Sequence, residues 1–210
     1  MKYKDFRSFK IVRNCNEKYK DYKSYLSNLS TDFKHRCAYC NTHDQYINES
    51  YQIDHFIPQQ VFKNTDMEKL KYDYNNLMYC CPKCNKAKGS KYKGNIYDGS
   101  YQNELFYNPV DTDYNEIFYR NEFGKISSED SKGKYMIINM KLYSQIYDLA
   151  FLIEEISEVL NKIKDKVDKT LSTDDKQYYS EAYIKLNTYL LNLTRLFNCN
   201  YYHNSVKENH

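Results

Sequence analysis

Asp54 and His55 stand side by side in the run Tyr51-Gln52-Ile53-Asp54-His55-Phe56-Ile57-Pro58, and a cysteine pair flanks that run on each side. Cys37-Ala38-Tyr39-Cys40 precedes it and Cys81-Pro82-Lys83-Cys84 follows it. A Cys-x-x-Cys turn lets two thiolates face one ion while backbone N–H groups face the sulfurs, and two such turns complete a tetrahedral zinc site. Cys37, Cys40, Cys81 and Cys84 are therefore the expected zinc ligands. Cys80 competes with Cys81, but only Cys81 has the two-residue spacing to Cys84. Four thiolates leave no open position for a reacting water, so this ion should be structural, and its removal should unfold the domain. Cys15 and Cys199 read as ordinary small apolar residues. The clamp thus encloses a carboxylate suited to a metal and a histidine suited to proton transfer.

The motifs continue downstream. Cys37-x-x-Cys40, Asp54-His55-x-x-Pro58, Asn76-Leu77 and Cys81-x-x-Cys84-Asn85-x-x-Lys88-Gly89 occur in one order, and in that order they resemble the HNH endonucleases with a four-cysteine zinc site. The resemblance covers residues 37–90. It implies a ββα-metal core of two short antiparallel strands and a helix around one catalytic cation. The first strand would end near Asp54-His55, Leu77 to Cys80 would lie in or near the second, and the helix would begin around Cys84. It further implies that His55 is the general base, that Asp54 and Asn85 ligate the catalytic cation, and that Asn76 holds the loop rather than touching metal.

The chemistry of these residue types agrees. Phosphodiester hydrolysis needs an activated water, and neutral histidine has a pKa near the working pH. It also needs a cation to stabilise the charge that develops on the phosphorane and the leaving oxygen. Two oxygen donors suit Mg²⁺ or Mn²⁺ better than zinc and leave coordination positions for water and phosphate. His35, His43, His203 and His210 read as structural or solvated, with His43 close enough to the first cysteine pair to be watched. Lys83, Lys86, Lys88, Lys91 and Lys93 form a basic run with no acid among them. Beside an active site we read it as a phosphate-binding edge, with Lys86 and above all Lys88 as substrate contacts; a solvated helix face is the plainer reading.

Composition bounds the rest. Seven cysteines in 210 residues of mean hydropathy −0.90 need a metal or a redox explanation. No apolar stretch follows Met1-Lys2-Tyr3-Lys4, and the longest apolar run, Leu149 to Ile153, is too short for a bilayer, so a cytoplasmic protein with reduced thiols and no membrane partner is expected. Residues 1–100 carry 18 basic and 11 acidic side chains, whereas residues 101–210 carry 13 and 17, which places the affinity for a polyanion in the front half. The 25 tyrosines run through both halves and are read as compositional bias.

These motifs need elements to position them. Tyr22, Tyr25, Leu26, Leu29 and Phe33 recur at three- and four-residue steps, which predicts a helix from Asn16 to about Arg36. Lys91 to Ser100, with Gly94 and Gly99, reads as a loop. Glu116 to Arg120 and Lys125 to Ser127 read as a hairpin turning at Asn121 to Gly124. Leu142, Ile146, Leu149, Ile153, Ile156, Leu160, Ile163 and Val167 form a heptad-like stripe on a long helix. Ser172 to Asp175 turns and caps a second helix carrying Tyr179, Ala182, Leu186, Leu190, Leu193 and Phe197. The expected fold is α+β: an HNH core with structural zinc at residues 37–100, a helical segment at 1–36, and a β-hairpin with a C-terminal helical hairpin at 101–210.

The expectation for function is a metal-dependent endonuclease cutting nucleic acid, DNA first; the family resemblance implies products with a 5′ phosphate and a 3′ hydroxyl. The flanks resemble stand-alone HNH proteins of bacterial anti-phage systems such as the Septu HNH subunit, which works with an ATPase. The heptad stripe is then the expected surface for that partner or for a homodimer, unless the same chain covers it. The alternative is a zinc-stabilised nucleic-acid-binding or partner-docking subunit without catalysis.

Overall fold

The leading segment is helical over a shorter stretch than its spacing suggests. The structure, a computed structural model, describes residues 3–47, 49–169 and 172–207. It opens with a two-residue strand, β1 (Lys4–Asp5), and then runs as coil until Asp21 caps a 3-10 turn at Tyr22–Tyr25 by accepting from the Lys23 amide. Helix α1 (Leu26–Asp32) follows directly. It stops because Lys34 and His35 take positive φ values of 52° and 57°, outside the helical range. Tyr25, Leu29 and Phe33 still form the buried face that the periodicity marks.

The motif region folds as the resemblance implies. Strand β2 (Gln52–His55) is followed by the short helix α2 (Gln59–Phe62), a 3-10 turn at Glu68–Lys71, and strand β3 (Leu77–Cys80). β2 and β3 pair antiparallel, with Asp54 opposite Met78 and His55 opposite Leu77. Helix α3 (Pro82–Lys88) begins two residues earlier than expected. Proline suits the first helical position because its missing N–H has no partner there in any helix. Cys81 caps the helix, its sulfur accepting from the Cys84 amide at 3.4 Å.

Residues beyond the motif return to the chain's beginning. Helix α4 (Tyr114–Ile117) takes up the start of the expected hairpin, leaving strands β4 (Tyr119–Arg120) and β5 (Ile126–Ser127). Gly124, at φ 74°, supplies the left-handed residue of their turn. β4 lies between β5 and β1, so the leader and the hairpin share one antiparallel sheet. Helix α5 (Ser131–Asn139), capped by Asp130, was not foreseen from the sequence. Phe56, Leu77, Met78, Phe106, Phe118 and Met136 fill the core of this part.

The compact units are residues Met1–Tyr143 and Ser144–His210. In the second unit, α6 (Gln145–Lys169) and α7 (Thr173–Lys207) pack against each other. The Lys166 ammonium lies 5.4 Å from the Tyr179 ring centre across that pair. Leu142 falls outside α6. Ile153 and Leu160 of the stripe on α6, and Leu193 and Phe197 on α7, are buried. None of the described helices is long and apolar enough to cross a membrane.

Candidate functional site

The four expected zinc ligands converge. The sulfurs of Cys37, Cys40, Cys81 and Cys84 all lie within 4.8 Å of one another, and all four residues are buried. Cys40 and Cys81 approach to 3.9 Å. A tetrahedral zinc with bonds of about 2.3 Å requires sulfur separations of about 3.8 Å, so the donor set fits that ion in chemistry and in size. Cys80 is left out: burial pushes its thiol up, and it donates to the Cys81 carbonyl at 3.3 Å. Cys15 is half-buried and Cys199 is exposed, so neither is a core residue.

Two buried arginines brace the first cysteine turn. Arg7 donates to the Ala38 carbonyl at 2.6 Å, and Arg120 donates to the Cys40 carbonyl at 3.2 Å. Burial lowers Arg7 to about 10, which leaves it cationic near neutral pH beside the sulfur cluster. The Ala38 amide donates to the Tyr79 carbonyl at 2.8 Å and fastens the same turn to β3.

Tyr39, between the first two cysteines, reaches through to the Asp54-His55 pair. Its hydroxyl donates to Oδ2 of Asp54 at 2.6 Å. The other carboxylate oxygen accepts from the Lys88 ammonium at 2.9 Å, and that ammonium also donates to the His55 carbonyl at 2.7 Å. Lys88 is therefore not on a phosphate-binding edge: it is 0 % exposed, with its charge turned into the core. The helix explains why. Cys84 and Lys88 are four residues apart on α3 and share a face, and Cys84 faces the zinc cluster. The rest of the basic run divides: Lys86 is exposed on α3, whereas Lys93 pairs with Glu104 at 2.5 Å.

His55 is held at both ring nitrogens. Nε2 lies 3.0 Å from the Lys71 carbonyl, which can only accept, so Nε2 carries the proton of the neutral ring. Nδ1 is left with its lone pair and receives the Gln59 side-chain amide at 3.2 Å. Burial lowers the His55 pKa and favours the neutral ring. Asn76, fully buried, keeps this arrangement in place. Its Oδ1 accepts from the Ile57 amide at 2.8 Å, and its Nδ2 donates to the carbonyls of Ile57 and Leu70, both at 3.1 Å. One side chain thus joins the segment after His55 to the turn whose Lys71 carbonyl orients His55.

Asn85, in the first turn of α3, donates through Nδ2 to Oε1 of Gln52 at 2.7 Å, so its own Oδ1 is the end left for another ligand. Asp54, His55, Gln59 and Asn85 line one open cavity of about 320 Å³. A carboxylate offers about four lone-pair positions, and the bonds from Tyr39 and Lys88 fill two. Asp54 and Asn85 therefore present oxygen donors that fit a hard divalent cation.

Comparison with protein families matches residues 37–91 to HNH endonuclease. That segment is an HNH domain. It spans the zinc cluster, both strands, α3 and every catalytic candidate, roughly a quarter of the chain. No curated protein and no solved structure matches. An HNH domain is a nuclease-type module, and this one has its cysteine cluster where the family places its zinc. Sequence reasoning missed Tyr39, Gln59, Gln52 and the Lys71 carbonyl around the HNH site. Tyr39 alone carried a signal, as the one large side chain inside a zinc turn. His35 and His43 lie outside the cavity: His35 contacts the Asp44 carboxylate at 3.1 Å, and Nδ1 of His43 accepts from the Gln45 amide. The side chains of His203 and His210 lie outside the described residues.

Proposed function

We propose that the chain is a metal-dependent endonuclease that hydrolyses phosphodiester bonds of DNA, with His55 as general base through Nδ1. The observation that carries this reading is the Lys71 carbonyl on Nε2, which leaves Nδ1, held by the Gln59 amide, as the basic atom of a neutral imidazole in the wall of a cavity that Asp54 and Asn85 also line. His55 takes a proton from water at Nδ1 as that water attacks phosphorus. The Gln59 amide now occupying that lone pair gives way to the water. Asp54, fixed by Tyr39 and Lys88, and Asn85, fixed by Gln52, hold the cation, which is Mg²⁺ or Mn²⁺ on the all-oxygen donor set. Once bound, that cation supplies charge stabilisation to the leaving 3′ oxygen. Lys88 acts by holding Asp54 and the His55 backbone, and exposed Lys86 remains the candidate phosphate contact.

Incubation of zinc-loaded protein with supercoiled DNA, single-stranded DNA and RNA, each with Mg²⁺ or Mn²⁺, tests the reading. Cleavage of DNA that falls by about 10²–10⁴-fold in His55→Ala supports it. Equal rates in parent and variant overturn the assignment of His55, and no cleavage of any substrate favours a binding module. A place in an anti-phage system rests on the resemblance of the flanks alone; co-purification of an ATPase with the native chain would support it.

A further inference from the structure

We infer that the hollow beside the catalytic cavity is a subsite for one unpaired nucleobase next to the cleaved phosphodiester. The inference rests on the nuclease reading and narrows its substrate to DNA that is single-stranded or locally unpaired at the cut. The hollow measures about 400 Å³, and Tyr22, Lys23, Leu26 and Gln52 are among its walls. It shares Ile53 and Asn85 with the cavity that holds Asp54 and His55, so the two are adjoining compartments of one surface. A chain with its phosphate at His55 has its neighbouring base within reach of that second compartment.

The walls have the chemistry a base requires. Tyr22 stands edge-on to the His55 imidazole, with ring centres 4.8 Å apart and planes at 70°. It is set there by the Asp21-capped turn. Every base has a π-face that stacks on such a ring without regard to sequence. Gln52 has its amide oxygen engaged by Asn85, which turns its NH₂ end into the available donor for a base edge. Lys23 is exposed at the rim, where a backbone phosphate passes. In a duplex both faces of a base are stacked and its pairing edge is occupied, so a base can enter only after leaving the helix.

Tyr22 could instead serve only to brace His55, and the experiment separates the two roles. Single-stranded oligonucleotides with and without an abasic residue beside the cleaved bond are cut by the parent, Tyr22→Leu and Leu26→Trp. The last variant fills the hollow from an exposed position that makes no ring contact with His55. Loss of the base should slow the parent about tenfold in kcat/KM, as expected for one lost stacking contact, and should cost either variant nothing further. Zinc stoichiometry equal to the parent's confirms that each variant is folded. A bracing role would slow Tyr22→Leu while keeping the abasic penalty, and that result overturns the subsite. So does a parent indifferent to the abasic residue on either side of the cut.

A second readout needs no cleavage. Oligonucleotides with 2-aminopurine at successive positions are titrated with zinc-loaded protein in the absence of added Mg²⁺ or Mn²⁺. Quenching by the parent that is lost in both variants supports the subsite; quenching absent from the parent, or unchanged in both variants, overturns it. Failure of the parent to cut any substrate falls on the nuclease reading, and the fluorescence titration then decides the subsite by itself.

Discussion

Asp54 receives two hydrogen bonds of different origin, one from a tyrosine inside a zinc turn and one from a lysine at the end of α3. Removing the first without disturbing packing should show what it does. Tyr39→Phe keeps the buried ring and all four sulfurs, so zinc content should equal the parent's. Mn²⁺ affinity, read from free Mn²⁺ by electron paramagnetic resonance, should fall about tenfold, the usual cost of losing a hydrogen bond that orients a metal-ligating carboxylate. His55 gives a second expectation. Burial depresses its pKa below the ordinary 6.5, and a general base at this position would act in the neutral form. Activity should therefore be constant near neutral pH and fall with unit slope as pH drops through a midpoint below 6.5. A kcat/KM profile with its acid midpoint above 6.5 would contradict the burial argument. At this scale the cysteine spacing and the Asp54-His55 pair were legible because chemistry fixes them locally. Lys88 was read as a phosphate contact because it stands in a basic run beside the motif; its four-residue step from Cys84 was the sign that it points inward.

Among the elements, the turn at Glu68–Lys71 matters out of proportion to its length, because it supplies the carbonyl that sets the tautomer of His55. Asn76 holds that turn to the segment after β2 through three buried bonds. Asn76→Ala leaves a buried N–H and two buried carbonyls short of partners and should cost on the order of 3 kcal/mol. A lowered urea midpoint with an unchanged slope would show it. The two strands and α3 could be located from motif order, and α6 and α7 from periodicity. The β1–β4 pairing could not. It joins two-residue strands more than a hundred positions apart, and nothing in Lys4-Asp5 or Tyr119-Arg120 announces a partner at that distance. Helix α5 is hard to see in sequence because Gly133 and two lysines interrupt its apolar periodicity, and Asp130 before Ser131 is its one clear capping signal.

Across the whole molecule, the four-cysteine cluster and the cavity lined by Asp54 and His55 lie in the unit Met1–Tyr143, while α6 and α7 belong to the unit Ser144–His210. Chelation should act unequally on them. Zinc removal should abolish the near-ultraviolet dichroism of the first unit and leave a substantial far-ultraviolet helical signal from α6 and α7. Coincident loss of both signals would show that the units fold as one. The apolar stripe of α6 was legible as a stripe, but its occupant was not, since heptad spacing serves a neighbouring helix of the same chain as readily as another molecule.

The pairing of β1 with β4, and the bond from Arg120 to the Cys40 carbonyl, also bear on how the chain is made. During translation the first cysteine turn leaves the ribosome long before Arg120 does. The nascent polypeptide therefore carries Asp54 and His55 outside the exit tunnel while the brace on that turn is still unsynthesised. Chain length thereby sets a delay between the emergence of Asp54 and His55 and the completion of the sheet and the arginine brace around the first cysteine turn.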